Sequence, residues 1–219
     1  MDKNIKSLIS YLQFEKKYFR KSIALTEVLD SEESLLEEEI LACNKCQLYL
    51  TATNKVIGRG RIDADIMLVG EAPGEEEDKS GIPFVGRAGE KLEEMLRYID
   101  LNRENVYICN VLKCRPPHNA DPTKEQEDAC RNFLIRQIAL VRPKVILTLG
   151  RHAASAVMRM ETKNLYEYLN TVFEIENGIK VIPTYHPAAI LYSKGNIKEK
   201  IRRQVAADLK KLISIAGEI

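Results

Sequence analysis

Four of the five cysteines have the spacing of a metal site. Cys43 and Cys46 form the pair in CNKC, Cys114 follows after 67 residues in LKCRPP, and Cys130 comes after 15 more. A Cys-x2-Cys turn lets two thiolates converge on one metal, and two further cysteines close a four-sulfur shell. Unrelated buried thiols are the alternative, because one such pair carries little information by itself. Cys109, inside the apolar run VYICNV, reads as a small buried residue outside the set. The N-terminus is too interrupted by charge to be a secretory signal, so five cysteines do not read as a disulfide framework.

A second group could recognise a planar base. Asn110 ends VYICN, Asn119 follows in CRPPHNADP, and His186 follows an apolar strand in PTYHPAAIL. An Asn side chain offers a donor beside an acceptor, which matches a nucleobase edge, and an aromatic offers a stacking face. Phe84, in GIPFVGRA, is expected to sit exposed in its loop and supply that face. Such a set suits a base drawn out of a duplex. His118 reads as a backbone or phosphate contact, and His152 as a residue packing at a helix start.

The stretch GEAPGEEEDKSGIPFVGRAGE, Gly70 to Glu90, places a Gly/Pro turn and a run of four acids, Glu75 to Asp78, after an apolar strand. The loop at the carboxyl end of a strand is where open α/β sheets bind ligands. Gly81 to Ala88 has the GxxxxG spacing of a phosphate loop, yet Arg87 and Ala88 stand where Lys and Ser or Thr belong. The hydroxyl that would hold magnesium is missing, Pro83 removes an amide, and no GxGxxG occurs, so ATP or dinucleotide binding is not expected.

Positioning these residues requires alternating strands and helices. Strands are expected at Asp65 to Val69, Val106 to Val111, Val145 to Leu149 and Val181 to Thr184, with an edge strand over 171 to 177 turned at Asn177-Gly178. Helices are expected at Ala88 to Tyr98, Lys124 to Val141, His152 to Met160 and Ile197 to Ile215. That alternation argues for a parallel sheet between helical layers. At the N-terminus, residues 1 to 29 read as one amphipathic helix and SEESLLEEEILA as a second, N-capped by Ser31.

With 219 residues, 45% hydrophobic and 30% charged, the chain can bury one core, and no apolar run reaches the roughly 20 residues of a membrane span. A soluble, cytoplasmic protein is expected. Net charge is only +1, but Thr26 to Ala42 holds seven acids and no Lys or Arg, while Lys194 to Lys211 holds seven basic residues and two acids. Any surface for a polyanion is therefore local.

Taken together, GEAPGEEED, PFVGRAG, NVLKCRPPHN, HPAAIL and the cysteine pattern resemble the family 4 uracil-DNA glycosylases, from about residue 40 to the C-terminus. The resemblance implies a three-layer α/β/α sandwich around a four-stranded parallel sheet. It also implies a glycosylase domain over 41–219 with an N-terminal helical extension over 1–40, and a structural 4Fe-4S cluster on Cys43, Cys46, Cys114 and Cys130. The implied activity is hydrolysis of the N-glycosidic bond of uracil in single- or double-stranded DNA by a monomer, opening base excision repair. In that reading Phe84 stacks on the flipped uracil, Asn110 reads N3 and O4, and His186 donates to O2. Ala72 and Gly74 complete the base-binding loop.

Other branches of the superfamily carry Asp right after the position of Glu71, where this chain has Ala72. Glu71 is then expected to line the site, and Glu77, held by Asn119, to position water. Glu75, Glu76 and Asp78 read as solvated loop charges. Lys194, Arg202 and Arg203 are weaker candidates for phosphate contact. A silent nucleic-acid-binding relative and a zinc-bound structural protein are the rival readings.

Overall fold

The computed structural model describes residues 23–160 and 164–217. Six strands form one sheet: β1 (Gly58–Gly60), β2 (Ile66–Gly70), β3 (Tyr107–Asn110), β4 (Val145–Leu149), β5 (Phe173–Glu174) and β6 (Lys180–Thr184), in the order β1-β3-β2-β4-β6-β5. The four middle strands are parallel, and β1 and β5 flank them antiparallel. The parallel four match the expectation. The addition is two edge strands, one of which, GRG, is too short and too glycine-rich to carry a strand signal. The expected edge strand over 171–177 shrinks to two residues, and the turn falls at Asn177-Gly178, both with positive φ.

Every residue of β2, β3 and β4 is buried, as parallel strands covered on both faces must be. Side chains alternate between two cores. Met67, Val69, Ile146 and Val181 face Leu134, Val141, Ala153 and Val157 on one side. Ile66, Leu68, Leu147 and Ile182 face Leu92, Leu96, Val205 and Leu209 on the other. The helices that supply those faces are α1 (Ile23–Leu41), α2 (Glu75–Ser80), α3 (Arg87–Arg97), α4 (Lys124–Val141), α5 (Arg151–Met158), α6 (Pro187–Tyr192) and α7 (Gly195–Gly217). This is the three-layer α/β/α arrangement. Among the described residues no helix is long and apolar enough to cross a membrane.

At the N-terminal end the boundaries differ. α1 runs unbroken through Ser31, which is an exposed interior residue and not an N-cap. Cap preference is weak against a stretch with neither Gly nor Pro to stop the helix. Leu36 and Ile40 of α1 bury against Ile57, Phe133 and Leu140. The rest of the expected first helix, residues 1–22, lies outside the described residues.

All four parallel strands end at the same sheet edge. Gly70, Asn110, Leu149 and Thr184 therefore bring the loops after them together, and that edge carries the site.

Candidate base pocket and cysteine site

Gly70 and Asn110 are register partners at the ends of β2 and β3. Asn110 is 2% exposed, and its Oδ1 is buried with no hydrogen-bond partner. Leaving a buried acceptor unmade costs about 1–3 kcal/mol, which is recovered when a ligand supplies the donor. A Cβ on Gly70 would lie 2.3 Å from that oxygen and 2.5 Å from Phe84 Cζ, so only a glycine lets amide and ring pack this closely on the strand end.

Phe84 is not the exposed aromatic that was expected: it is 4% exposed, with its ring enclosed beside Gly70. A protruding ring would lose the burial that stabilises it, and this loop is tied so that the ring turns inward. Phe84 has φ 55°, in the left-handed region. Arg103 donates to the Pro83 carbonyl at 3.0 Å and also to the Phe84 carbonyl. Gly89 lets α3 press on that carbonyl, since a Cβ there would stand 1.8 Å from the Phe84 oxygen.

Glu77 supplies the other tie. Its Oε1 accepts from the N–H groups of Val85 and Gly86, both at 3.0 Å, and its Oε2 from Gly74 N–H at 3.0 Å. The expected bond from Asn119 is not made: Asn119 is exposed, and its Oδ1 accepts from Arg115 Nε at 2.8 Å. Three backbone donors already claim the Glu77 carboxylate, so the side chain staples the two halves of the loop. The rest of the acidic run is a short helix. Glu75 and Glu76 pair with Lys79 on the surface, while Asp78 is 4% exposed and holds Thr53 N–H with both oxygens, a correction to its reading as a solvated charge.

His186 caps α6, its Nδ1 accepting from Ala188 N–H at 3.2 Å. The proton of the neutral ring therefore sits on Nε2. Burial pushes the imidazole down to about 4, against a weaker upward pull from Glu77, so the ring is neutral at ordinary pH. Its centroid lies 5.8 Å from that of Phe84, which joins it to the Gly70–Asn110 pocket.

Glu71 follows Gly70 directly. Burial raises its pKa, opposed by His152 and Arg151 and reinforced by Asp121 and Glu127. Ligand atoms of Glu71, Asp121 and His152 all lie within 4.8 Å of one another. His152 packs at a helix start as expected, but also belongs to this network, with Nδ1 2.9 Å from Glu127 Oε1. Arg151 Nη2 sits 2.8 Å from His152 Nε2 and 3.2 Å from Asp121 Oδ2, so the cluster carries its own cation. Ala72 is half-buried against the α4-side core and puts no carboxylate at its position, and Gly74 serves the Glu77 staple.

Cys43, Cys46, Cys114 and Cys130 line one small pocket, together with Ile40 and Phe133. Burial and then the other three thiols push Cys114 up to about 12. Burial likewise pushes Cys130 up, and thiols held protonated in this way give up their protons to an arriving cation, which fits a metal bound as thiolates. Among the described residues no three of these sulfurs approach within 4.8 Å of one another. Cys109 is buried on β3, outside that pocket.

The profile of the Uracil DNA glycosylase superfamily matches residues 57–210. The chain belongs to that superfamily. It is 46% identical over 186 residues to a "Type-4 uracil-DNA glycosylase" of Archaeoglobus fulgidus, covering 82% of this chain and 91% of that relative. It is 45% identical over 177 residues to the Type-4 enzyme of Thermotoga maritima, covering 81% and 91%. A "Type-5 uracil-DNA glycosylase" of Pyrobaculum aerophilum is 27% identical over 168 residues, covering 68% and 74%. The family 4 resemblance is thus borne out.

Within this superfamily member, several residues that shape the site escape a motif reading. Arg103 and Glu77 hold the Phe84 loop. Asp208, 0% exposed, accepts from Thr184 Oγ1 at 2.8 Å and from Gln204 Nε2 at 2.9 Å, tying the end of β6 beneath His186 to α7. A signal existed for Asp208: it is the one acid on the apolar stripe of Ile201, Val205, Leu209 and Leu212. Lys194, Arg202 and Arg203 are exposed, and Arg203 pairs with Glu199 at 3.0 Å.

Proposed function

We propose that the chain removes uracil from DNA by hydrolysing its N-glycosidic bond, leaving an abasic site. The observation that carries this reading is the unpartnered, buried Oδ1 of Asn110, packed with Phe84 on Gly70, in a member of this superfamily. Uracil presents an N3 donor beside an O4 acceptor, and the Asn110 amide complements both. Phe84 offers its face to the flipped ring. The C1′–N1 bond breaks with its electron pair passing to the base, and Nε2–H of the neutral His186 donates to O2 as charge collects there. A preorganised donor in an enclosed site stabilises such charge more than it would in water. Water then adds to C1′ and gives up its proton, with Glu71, half-buried directly after Gly70 at the strand end, as the carboxylate assigned to receive it. Glu77 and Asn119 act at one remove in this assignment, Glu77 by holding the loop and Asn119 by holding Arg115.

The four cysteines are assigned to a 4Fe-4S cluster, which would supply a rigid charged cross-link between segments; their convergence on one small pocket supports a shared metal centre. The glycosylase domain is assigned to 41–219 with 1–40 as an extension, acting as a monomer. Cytoplasmic DNA, single- or double-stranded, is the proposed substrate. Lys194, Arg202 and Arg203 contact phosphates in this reading, so neutralising both arginines weakens DNA binding and flattens its salt dependence. The deciding experiment is incubation with a uracil-containing oligonucleotide followed by alkaline cleavage; an intact strand would refute the assignment.

A further inference from the structure

Lys113 lies between the cysteine pocket and the base pocket, only 2% exposed. Its Nζ donates to the backbone carbonyl of Asn110 and to Gln137 Oε1 at 2.6 Å, and both acceptors are neutral. Gln137 is oriented by its own donors, Nε2 giving to Ile57 O at 2.9 Å and to Tyr107 Oη at 3.2 Å. On its other side the backbone N–H of Lys113 bonds Cys130, and the next residue is Cys114. An ammonium buried among neutral acceptors costs several kcal/mol unless an anion compensates it. Four thiolates around a metal centre carry more negative charge than the metal neutralises, and they are the anion at hand.

We propose that Lys113 is a positioning residue that couples the two sites. Its ammonium balances the charge of the metal-loaded cysteines while it holds the Asn110 carbonyl, and with it the strand end from which the base-reading amide projects. The coupling rests on the uracil reading and on the cluster assignment.

The test is Lys113→Met, which keeps the length and removes the charge and the donor. Iron loss to a chelator, followed by visible absorbance, is expected to quicken at least tenfold, and the cluster potential to move to more negative values. Single-turnover uracil excision is expected to slow at least tenfold with DNA affinity unchanged. A merely structural lysine would lower the melting temperature without moving the potential. If that variant does not fold, Gln137→Glu separates the two roles, because a carboxylate on the ammonium offsets its charge and leaves the Asn110 contact. Faster iron loss with near-parental excision is then expected. Parental iron retention and potential in either variant, or parental excision in Lys113→Met, overturns the coupling. Failure of the unmodified protein on uracil would sink the functional reading instead, while the iron-retention measurement still stands.

Discussion

A methyl group on Gly70 would stand 2.3 Å from Asn110 Oδ1 and 2.5 Å from Phe84 Cζ. Amide and ring thus close on the end of β2 at a point where only a glycine fits, and any side chain there would push one of them aside. The ring cannot retreat easily, because Phe84 is tied through Arg103 and its loop through Glu77. Gly70 has no positive φ, so alanine meets no backbone strain there. Gly70→Ala is therefore expected to fold, bind DNA and lose uracil excision by at least about 100-fold, or about 2.7 kcal/mol of transition-state stabilisation. Single-turnover rates with a circular dichroism control check this.

Asn110→Asp removes the donor and leaves two acceptors, so the side chain still accepts from N3 but repels O4. A site built on a polar edge discriminates by more than one lost bond, since its buried partner is left unpaired. We expect at least about 100-fold slower uracil excision with the metal site and DNA binding intact. Near-parental excision would mean that Asn110 does not read the base.

The difference between what the sequence showed and what it hid follows from chemistry. Long apolar runs such as IMLVG and VILTL declare parallel strands, Asn110 and His186 stand out by type and by their place at or just after a strand end, and the four cysteines by their spacing. GRG does not, because a three-residue glycine strand has no periodicity to read. Phe84 was read as exposed because loop residues usually are. Its burial depends on contacts to Arg103 and Gly89, 19 and 5 residues away in sequence, that no local pattern reports. Glu77 and Asp78 look like members of a solvated acidic run until the fold delivers backbone N–H groups to them.

The cysteine assignment separates by colour. Cys114→Ala and Cys130→Ala each remove one corner of a shell that joins distant segments, so visible absorbance, iron content and solubility are expected to fall together. Cys109→Ala keeps all three, because its thiol lies outside the pocket. A colourless, fully active protein containing zinc would overturn the iron assignment.

His186 makes a pH prediction whose sign is fixed by burial. The ring titrates near 4 in the folded chain against an ordinary value of 6.5. Between these values the unfolded chain binds the proton and the folded chain does not, so stability from this residue is complete above about pH 6.5 and is lost as pH falls towards 4. The loss is at most about 3.4 kcal/mol. His186→Asn is expected to narrow the fall in melting temperature between pH 7 and pH 5. Catalysis provides the sharper test. If the neutral Nε2–H is the donor, the single-turnover excision rate stays flat from pH 8 down to about pH 5, and the limb from this ring appears only near 4. An imidazolium donor would instead make the rate climb as pH falls through that midpoint. Protonation would also put a proton on Nδ1 facing Ala188 N–H and break the cap of α6. A limb centred near 6.5 that vanishes in His186→Asn would show that the ring is solvated in the working enzyme, and the enclosed neutral donor would have to be abandoned.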